Sequence, residues 1–116
     1  MSFTHAQTAQ NLNKMILYNV TLNVDDEIKD DWLKWMKEIH LPEVMATGKF
    51  ISYGMYKIQN HNENDKSNNY SVQYQANSFS EYEEYSEKYA PALKQKTLEK
   101  FGDKVIAFRT LLEKIS

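Results

Sequence analysis

The chain has 116 residues, 16 acidic against 14 basic side chains and a formal charge of −2, which fits one domain with a two-layer core and gives no electrostatic footprint for a nucleic-acid partner. Cysteine is absent, which excludes disulfides, thiolate chemistry and Cys-based zinc sites. No apolar run approaches the roughly 20 residues that cross a bilayer, and the N-terminus lacks the basic and apolar segments of a secretory signal, so a cytoplasmic protein with no membrane partner is the default expectation.

Residues 1–14 are rich in Gln, Asn, Thr and Ala without sustained periodicity, and read as a flexible N-terminal tail. The domain is expected over residues 15–116. From Met15 to Val24 the chain alternates: Ile16, Tyr18, Val20, Leu22 and Val24 share one face, and Leu17, Asn19, Thr21 and Asn23 the other. This is a strand with one apolar face. Asp25 and Asp26 suit the helix N-terminus that follows.

A helix is expected from about Ile28 to Thr47, with Trp32, Met36, Ile39 and Ala46 in an apolar stripe and Leu33 and Trp35 beside it. Pro42 lacks an N–H and clashes with the carbonyl of Glu38, which predicts a kink or break near Leu41. Gly48 is placed to end the helix in a left-handed conformation.

A second strand is expected over Phe50 to Gln59. Asn60 to Asn69 is a polar run that reads as an exposed, mobile hairpin connection. The third strand is expected over Tyr70 to Ala76, with Tyr70, Val72, Tyr74 and Ala76 on one face and Ser71, Gln73 and Gln75 on the other. Ser78 and Glu81 have the spacing of a capping box. The helix behind them carries Phe79, Tyr82, Tyr85 and Tyr89, is interrupted at Pro91, and continues through Leu93, Thr97, Leu98 and Phe101 to Gly102. The last strand runs from Lys104 to about Glu113. Its bulkier apolar phase is Ile106, Phe108, Thr110 and Leu112; the other is Val105, Ala107, Arg109 and Leu111.

The order βαββαβ predicts an α+β, ferredoxin-like fold: a four-stranded antiparallel sheet with both helices on one face and strands one and three at its centre. The other face presents Asn19, Thr21, Ser71, Gln73 and Gln75. If the bulkier phase of the last strand faces the helices, Arg109 joins them. That face is either solvated or packed on a second copy as a dimeric α+β barrel, which Leu17, Val105 and Leu111 would favour.

A resemblance joins several separated segments: MILYNVTLNV (15–24), WLKWMKEIHLPEVMATGKF (32–50), YSVQY (70–74), FGDK (101–104) and AFRT (107–110). Together they resemble a small bacterial family, domain of unknown function 4286. The resemblance implies a ferredoxin-like fold of the dimeric α+β barrel type and no assigned activity. At fold level it also suggests small cofactor-independent oxygenases and isomerases with a pocket between sheet and helices, an analogy only, since such folds host many functions.

The residues offer a short set of candidates. His40 lies on the flank of the apolar stripe, where a partly buried imidazole serves either as a general base or ligand anchor, or as a structural group bonded to a backbone carbonyl near Pro42. Arg109 is the only arginine of the chain, and its guanidinium suits either a ligand carboxylate or an ion pair. Asn19, Tyr53 and Gln73 are candidate hydrogen-bonding groups for a small polar ligand, against the alternative of a wet sheet face. Tyr82, Tyr85 and Tyr89 read as a core and rim face rather than an aromatic ligand box. The acids Glu81, Glu83, Glu84 and Glu87 read as a solvated helix face. His5, His40 and His61 lack ligand spacing, so no metal is expected, and no glycine-rich loop or other cofactor motif is present.

Two function classes stay open from sequence: a homodimeric module that binds a small molecule or a protein partner, and a cofactor-independent oxygenase, isomerase or lyase acting on a small organic acid through His40 and Arg109. A single-stranded RNA reader shares the element order, but the expected sheet face carries Asn, Thr, Ser and Gln where such modules stack bases on aromatics.

Overall fold

The computed structural model describes residues 14–59 and 68–116. The tail expected over residues 1–14, apart from Lys14, and the connection over residues 60–67 lie outside the described residues.

Four strands form one antiparallel sheet: β1 (Ile16–Val24), β2 (Ser52–Lys57), β3 (Asn68–Ala76) and β4 (Val105–Glu113), in the order β2-β3-β1-β4. The central pair is β1 and β3, as the two halves of a βαββαβ chain require. Strict alternation along both buries Ile16, Tyr18, Val20, Leu22 and Val24 opposite Ala76, Tyr74, Val72 and Tyr70. These side chains meet the helices in a single core that includes Trp32, Trp35, Met36, Leu41, Val44, Tyr85, Leu93 and Phe101. The fold is ferredoxin-like, with its helices on one face of the sheet.

The first crossover begins at Asp25, whose Oδ1 accepts from the Glu27 N–H at 2.9 Å and caps a short 3₁₀ turn. It continues as α1 (Lys29–Trp35), a π turn over Met36–His40, and α2 (Leu41–Ala46). The chain is therefore not broken at Pro42. The residues around it keep right-handed helical dihedrals, and Leu41 donates to the Met36 carbonyl five residues back. One extra residue in the turn takes the Glu38 carbonyl out of the way of the proline ring, so the clash is absorbed by widening. The apolar stripe changes face beyond the turn. Its buried members are Trp32, Trp35, Met36, Leu41 and Val44, whereas Ile39 and Ala46, expected inside, are exposed. Gly48 ends the segment at φ +75°.

β2 is shorter than expected. Phe50 lies before it and plugs the core, stacked on Tyr18 with ring centroids 6.0 Å apart and against Tyr85 at 4.7 Å. β3 begins two residues earlier than expected because Asn68 is buried. Its amide donates to the Val24 carbonyl at 3.3 Å and to Asp26 Oδ1 at 3.2 Å, which ties a polar residue into the strand.

The second crossover is α3 (Phe79–Lys88) and α4 (Ala90–Phe101), separated at Tyr89 ahead of Pro91. The Ser78 hydroxyl accepts from the Glu81 N–H at 3.2 Å, one half of the expected capping box. The Glu81 carboxylate pairs instead with Lys49 at 3.5 Å.

The last strand has the opposite phase to the one that would put Arg109 on the open face. Register pairs Arg109 with Val20 and Ala107 with Leu22, so Val105, Ala107, Arg109 and Leu111 face the helices. The bulkier Ile106 and Phe108 point away and are each 64 % exposed. On the covered side the smaller Val105 and Ala107 pack against the core.

Candidate functional site

The phase of β4 and the π turn together make a pocket between the sheet and the helices, of about 230 Å³. Its floor is Tyr18, Val20, Leu22, Val72 and Tyr74 on the central strands. Trp32, Met36 and His40 form the roof, with Leu93, Lys94 and Thr97 from α4 beside them. Val105, Ala107 and Arg109 of β4 form the side wall. The exposed lining residues, Lys94, Leu98 and Arg109, mark its mouth.

His40 reaches this pocket because of the π turn. Its ring stacks on Trp35, five residues earlier, with centroids 4.9 Å apart and planes 24° from parallel. In a regular α-helix five residues rotate by about 500°, which leaves side chains roughly 140° apart. Pro42 thus indirectly aims His40. Burial is the main cause that pushes the imidazole down to about 4; the Arg109 and Lys96 charges lower it further and Glu43 opposes them. At neutral pH it is an uncharged ring with one acceptor and one donor nitrogen.

Arg109 Nε donates to the Tyr18 hydroxyl at 3.1 Å. Among the described residues this is its one hydrogen bond, and no carboxylate lies within ion-pair distance of either Arg109 or Lys94. Several other cations are paired, Lys49 with Glu81 and Glu84, Lys96 with Glu43 and Lys104 with Glu27. Burial and the neighbouring Arg109 charge both hold the Lys94 ammonium below its ordinary value. The Tyr18, Tyr74 and Tyr85 phenols are pushed up, mainly by burial, and stay protonated. The mouth is therefore electropositive on a protein of slightly negative net charge, and the interior is apolar and aromatic.

The five candidate residues do not form one site. His40 and Arg109 line the pocket together. Asn19 and Gln73 are on the opposite, open face of the sheet, since strand alternation separates them from Tyr18 and Tyr74. There they belong to a ladder in which Ser71 Oγ donates to Asn19 Oδ1 at 2.6 Å, Asn19 donates to Thr21 at 3.0 Å and Gln73 donates to Ser71 at 3.3 Å. Tyr53 pairs with Tyr74 in register, on the helix side, but sits on the edge strand, 49 % exposed and outside the pocket lining.

Sequence reasoning missed Tyr18 and Lys94 as pocket residues. Tyr18 carried a signal, a hydroxyl within an otherwise aliphatic strand face. Lys94 follows a buried leucine on a helix of mixed charge, and nothing in its spacing sets it apart. Among the described residues no three His, Asp or Glu side chains converge as metal ligands.

The sequence profile described as Domain of unknown function (DUF4286) matches residues 15–115. The chain belongs to the DUF4286 family. No curated protein matches it in sequence. Solved structures similar to this DUF4286 chain share its fold at low identity. One is an ethyl tert-butyl ether D (EthD) family protein of Bacillus halodurans C-125, with TM-score 0.66, 11 % identity, and 86 % of this chain and 99 % of that one covered. Another is HapK of Hahella chejuensis, with TM-score 0.62, 8 % identity and coverages of 87 % and 92 %. A third is a dimeric ferredoxin-like protein of unknown function from Thermobifida fusca YX, with TM-score 0.53, 11 % identity and coverages of 87 % and 94 %. No helix among the described residues is long and apolar enough to cross a membrane.

Proposed function

We propose that this DUF4286 protein is a homodimer that binds a small organic acid in the pocket between sheet and helices. The observation that carries the reading is a pair of cations, Arg109 and Lys94, with no carboxylate partner among the described residues, at the mouth of an apolar pocket. A carboxylate at the mouth would relieve their mutual repulsion and use the guanidinium donors left free by Tyr18, while an apolar body fills the space against Val20, Val72 and Leu93.

Dimerisation is read onto the open sheet face. Ile106, Phe108 and Leu112 form an exposed apolar column along β4, continued on β1 by Leu17, which pairs with Leu112. Beside it the polar ladder of Asn19, Ser71 and Gln73 has hydrogen bonds within the face, which lowers the cost of burying it. The description of the Thermobifida fusca protein as dimeric supports a second copy of the chain as the occupant. Light scattering should return twice the chain mass, and a monomer at micromolar concentration would remove the dimer from the proposal.

The binding half is tested by calorimetric titration with benzoate and phenylacetate, against benzyl alcohol as an uncharged control. The acids should bind, more weakly as salt rises, and the alcohol should not. Equal binding of the alcohol, or no binding of either acid, would contradict the reading.

His40 favours a second reading, a cofactor-independent oxygenase, isomerase or lyase. A neutral imidazole in the same pocket as the anion anchor can accept a proton from a bound acid, and a bound carboxylate would lift its pKa from about 4 toward the working range. Deuterium exchange at the α-carbon of bound phenylacetate, lost in His40→Gln, is the readout. No exchange above the buffer rate leaves the binding module as the function.

A further inference from the structure

The pocket wall holds two phenol hydroxyls that the binding of a simple acid leaves unused. Tyr18 stands on β1 and Tyr85 comes down onto it from α3, with ring centroids 6.0 Å apart. Both line the pocket. Core packing accounts for the rings, which also meet Phe50 at 6.0 and 4.7 Å. It does not account for the oxygens. Phenylalanine at either position would fill the same space without setting a polar atom in an apolar wall.

The protein does not use up these hydroxyls. Tyr18 accepts from Arg109 Nε at 3.1 Å, and its own proton has no acceptor among the described residues. The Tyr85 hydroxyl makes no hydrogen bond among the described residues. It is not sealed either. Among the described residues Trp32 Nε1 is the one side-chain polar atom that is both shut off from solvent and unpaired. Tyr85 is only 4 % exposed, yet its unpaired hydroxyl stays open to a water-sized group, and the space Tyr85 lines is the pocket.

Both hydroxyls belong to the Arg109 end. Tyr18 is one hydrogen bond from the guanidinium. Burial pushes the Tyr85 phenol up, Tyr18 adds to that and the Arg109 charge opposes it, so the three groups share one neighbourhood. A carboxylate on the guanidinium and the Lys94 ammonium is served by cations alone. A plain acid would then cover the two hydroxyls with its apolar body and strip them of water without giving them a partner. An oxygen that meets them has to sit close to the carboxylate, on the next carbon.

We infer that the pocket selects 2-hydroxy and 2-oxo acids, with the carboxylate on Arg109 and Lys94 and the oxygen of the neighbouring carbon against the Tyr18 and Tyr85 hydroxyls. This rests on the organic-acid reading above and deepens it. A phenol both donates and accepts, so it serves a keto oxygen as donor and a ligand hydroxyl in either sense. Tyr18 and Tyr85 are then specificity residues, and Tyr18 also positions the guanidinium.

The test uses the full chain and probes that share a phenyl ring on a chain of the same length. 3-Phenyllactate and phenylpyruvate carry the second oxygen, 3-phenylpropanoate lacks it, and 1-phenyl-2-propanol lacks the charge. By calorimetry phenylpyruvate and the better enantiomer of 3-phenyllactate should bind about three- to tenfold more tightly than 3-phenylpropanoate, the range of one or two neutral hydrogen bonds. Tyr18→Phe and Tyr85→Phe keep the rings and remove the oxygens. Each should shrink that preference and the double variant should abolish it, while 3-phenylpropanoate keeps its affinity in Tyr85→Phe. A Tyr18 that only held the guanidinium would weaken all three acids by one factor and leave their ratio intact. Equal affinity of the acids with and without the second oxygen in wild type, or a ratio that survives in the double variant, would overturn the inference and leave the anion site standing. Binding of the neutral alcohol as tight as the acids would overturn the anion site itself, and silence from every probe would overturn both.

Discussion

The two faces of this sheet are built from the same alternation and do opposite things. On the covered face the central strands bring Tyr18, Val20, Val72 and Tyr74 under helices and leave a pocket with two unpaired cations at its mouth. On the open face the same strands show Asn19, Thr21, Ser71 and Gln73, bonded to one another, beside an apolar column on β4. Polarity alone misleads about which face has polar groups without partners. The polar face has its side-chain hydrogen bonds made within itself, whereas the apolar face contains the groups with unmet electrostatic demands: Arg109, Lys94 and the Trp32 N–H.

That contrast is open to attack by substitution. The largest effect is expected from Leu41→Ala, which empties a fully buried position on the helix face that covers the sheet. It should cost about 2–5 kcal/mol of stability in urea unfolding, while Phe108→Ser on the open face should cost the folded protomer about 0.5 kcal/mol or less. Comparable losses at the two positions would mean that the faces are not energetically distinct. Next in size, the pair Ile106→Lys and Phe108→Lys should weaken the proposed dimer at least about tenfold in sedimentation equilibrium, by setting like charges across the apolar column on β4, and leave far-ultraviolet circular dichroism unchanged. A dimer of undiminished affinity would put the interface elsewhere.

Acid stability sharpens the comparison further. His40 binds its proton at about 4 in the folded chain against an ordinary value of 6.5, so between these pH values the unfolded state holds more protons and stability rises with pH. The contribution is present above about 6.5 and lost as pH falls to about 4. His40→Gln should flatten that part of the stability profile, and an unchanged slope would mean that the imidazole is solvated. A smaller effect is expected from Pro42→Ala. Without the ring the turn can close to a regular α-helical one, His40 should leave the pocket, and its NMR titration midpoint should move up from about 4 toward 6.5. A midpoint that stays near 4 would show that packing on Trp35, not the proline, holds the π turn.

Much of this architecture was legible in the residues, and the failures have physical causes. Alternation along residues 15–24 and 70–76 identified the central strands because one face of each is buried and the other is not. The helix between β1 and β2 was legible as an element, but its inward face was not. Periodicity assumes 3.6 residues per turn, and the π turn ahead of Pro42 moves the stripe from Ile39 to Leu41. The phase of β4 was misjudged because bulk is a guide to the buried face only when helices or strands cover a single side. In an edge strand whose second face is also apolar, Ile106 and Phe108 point outward and Arg109 turns in. His40 and Arg109 line one pocket, though the sequence pattern separates them by one strand phase. Asn19 and Gln73 were drawn from the face whose hydrogen bonds are already made.

The most direct test of the two-face account is a calorimetric titration of one acid, phenylacetate, into wild type, Arg109→Gln and Gln73→Ala. The account predicts that Arg109→Gln weakens binding about 10- to 100-fold, the range of a charge-assisted hydrogen bond, and that Gln73→Ala leaves it unchanged. Loss of binding in Gln73→Ala with Arg109→Gln unaffected would move the site to the open face and contradict it.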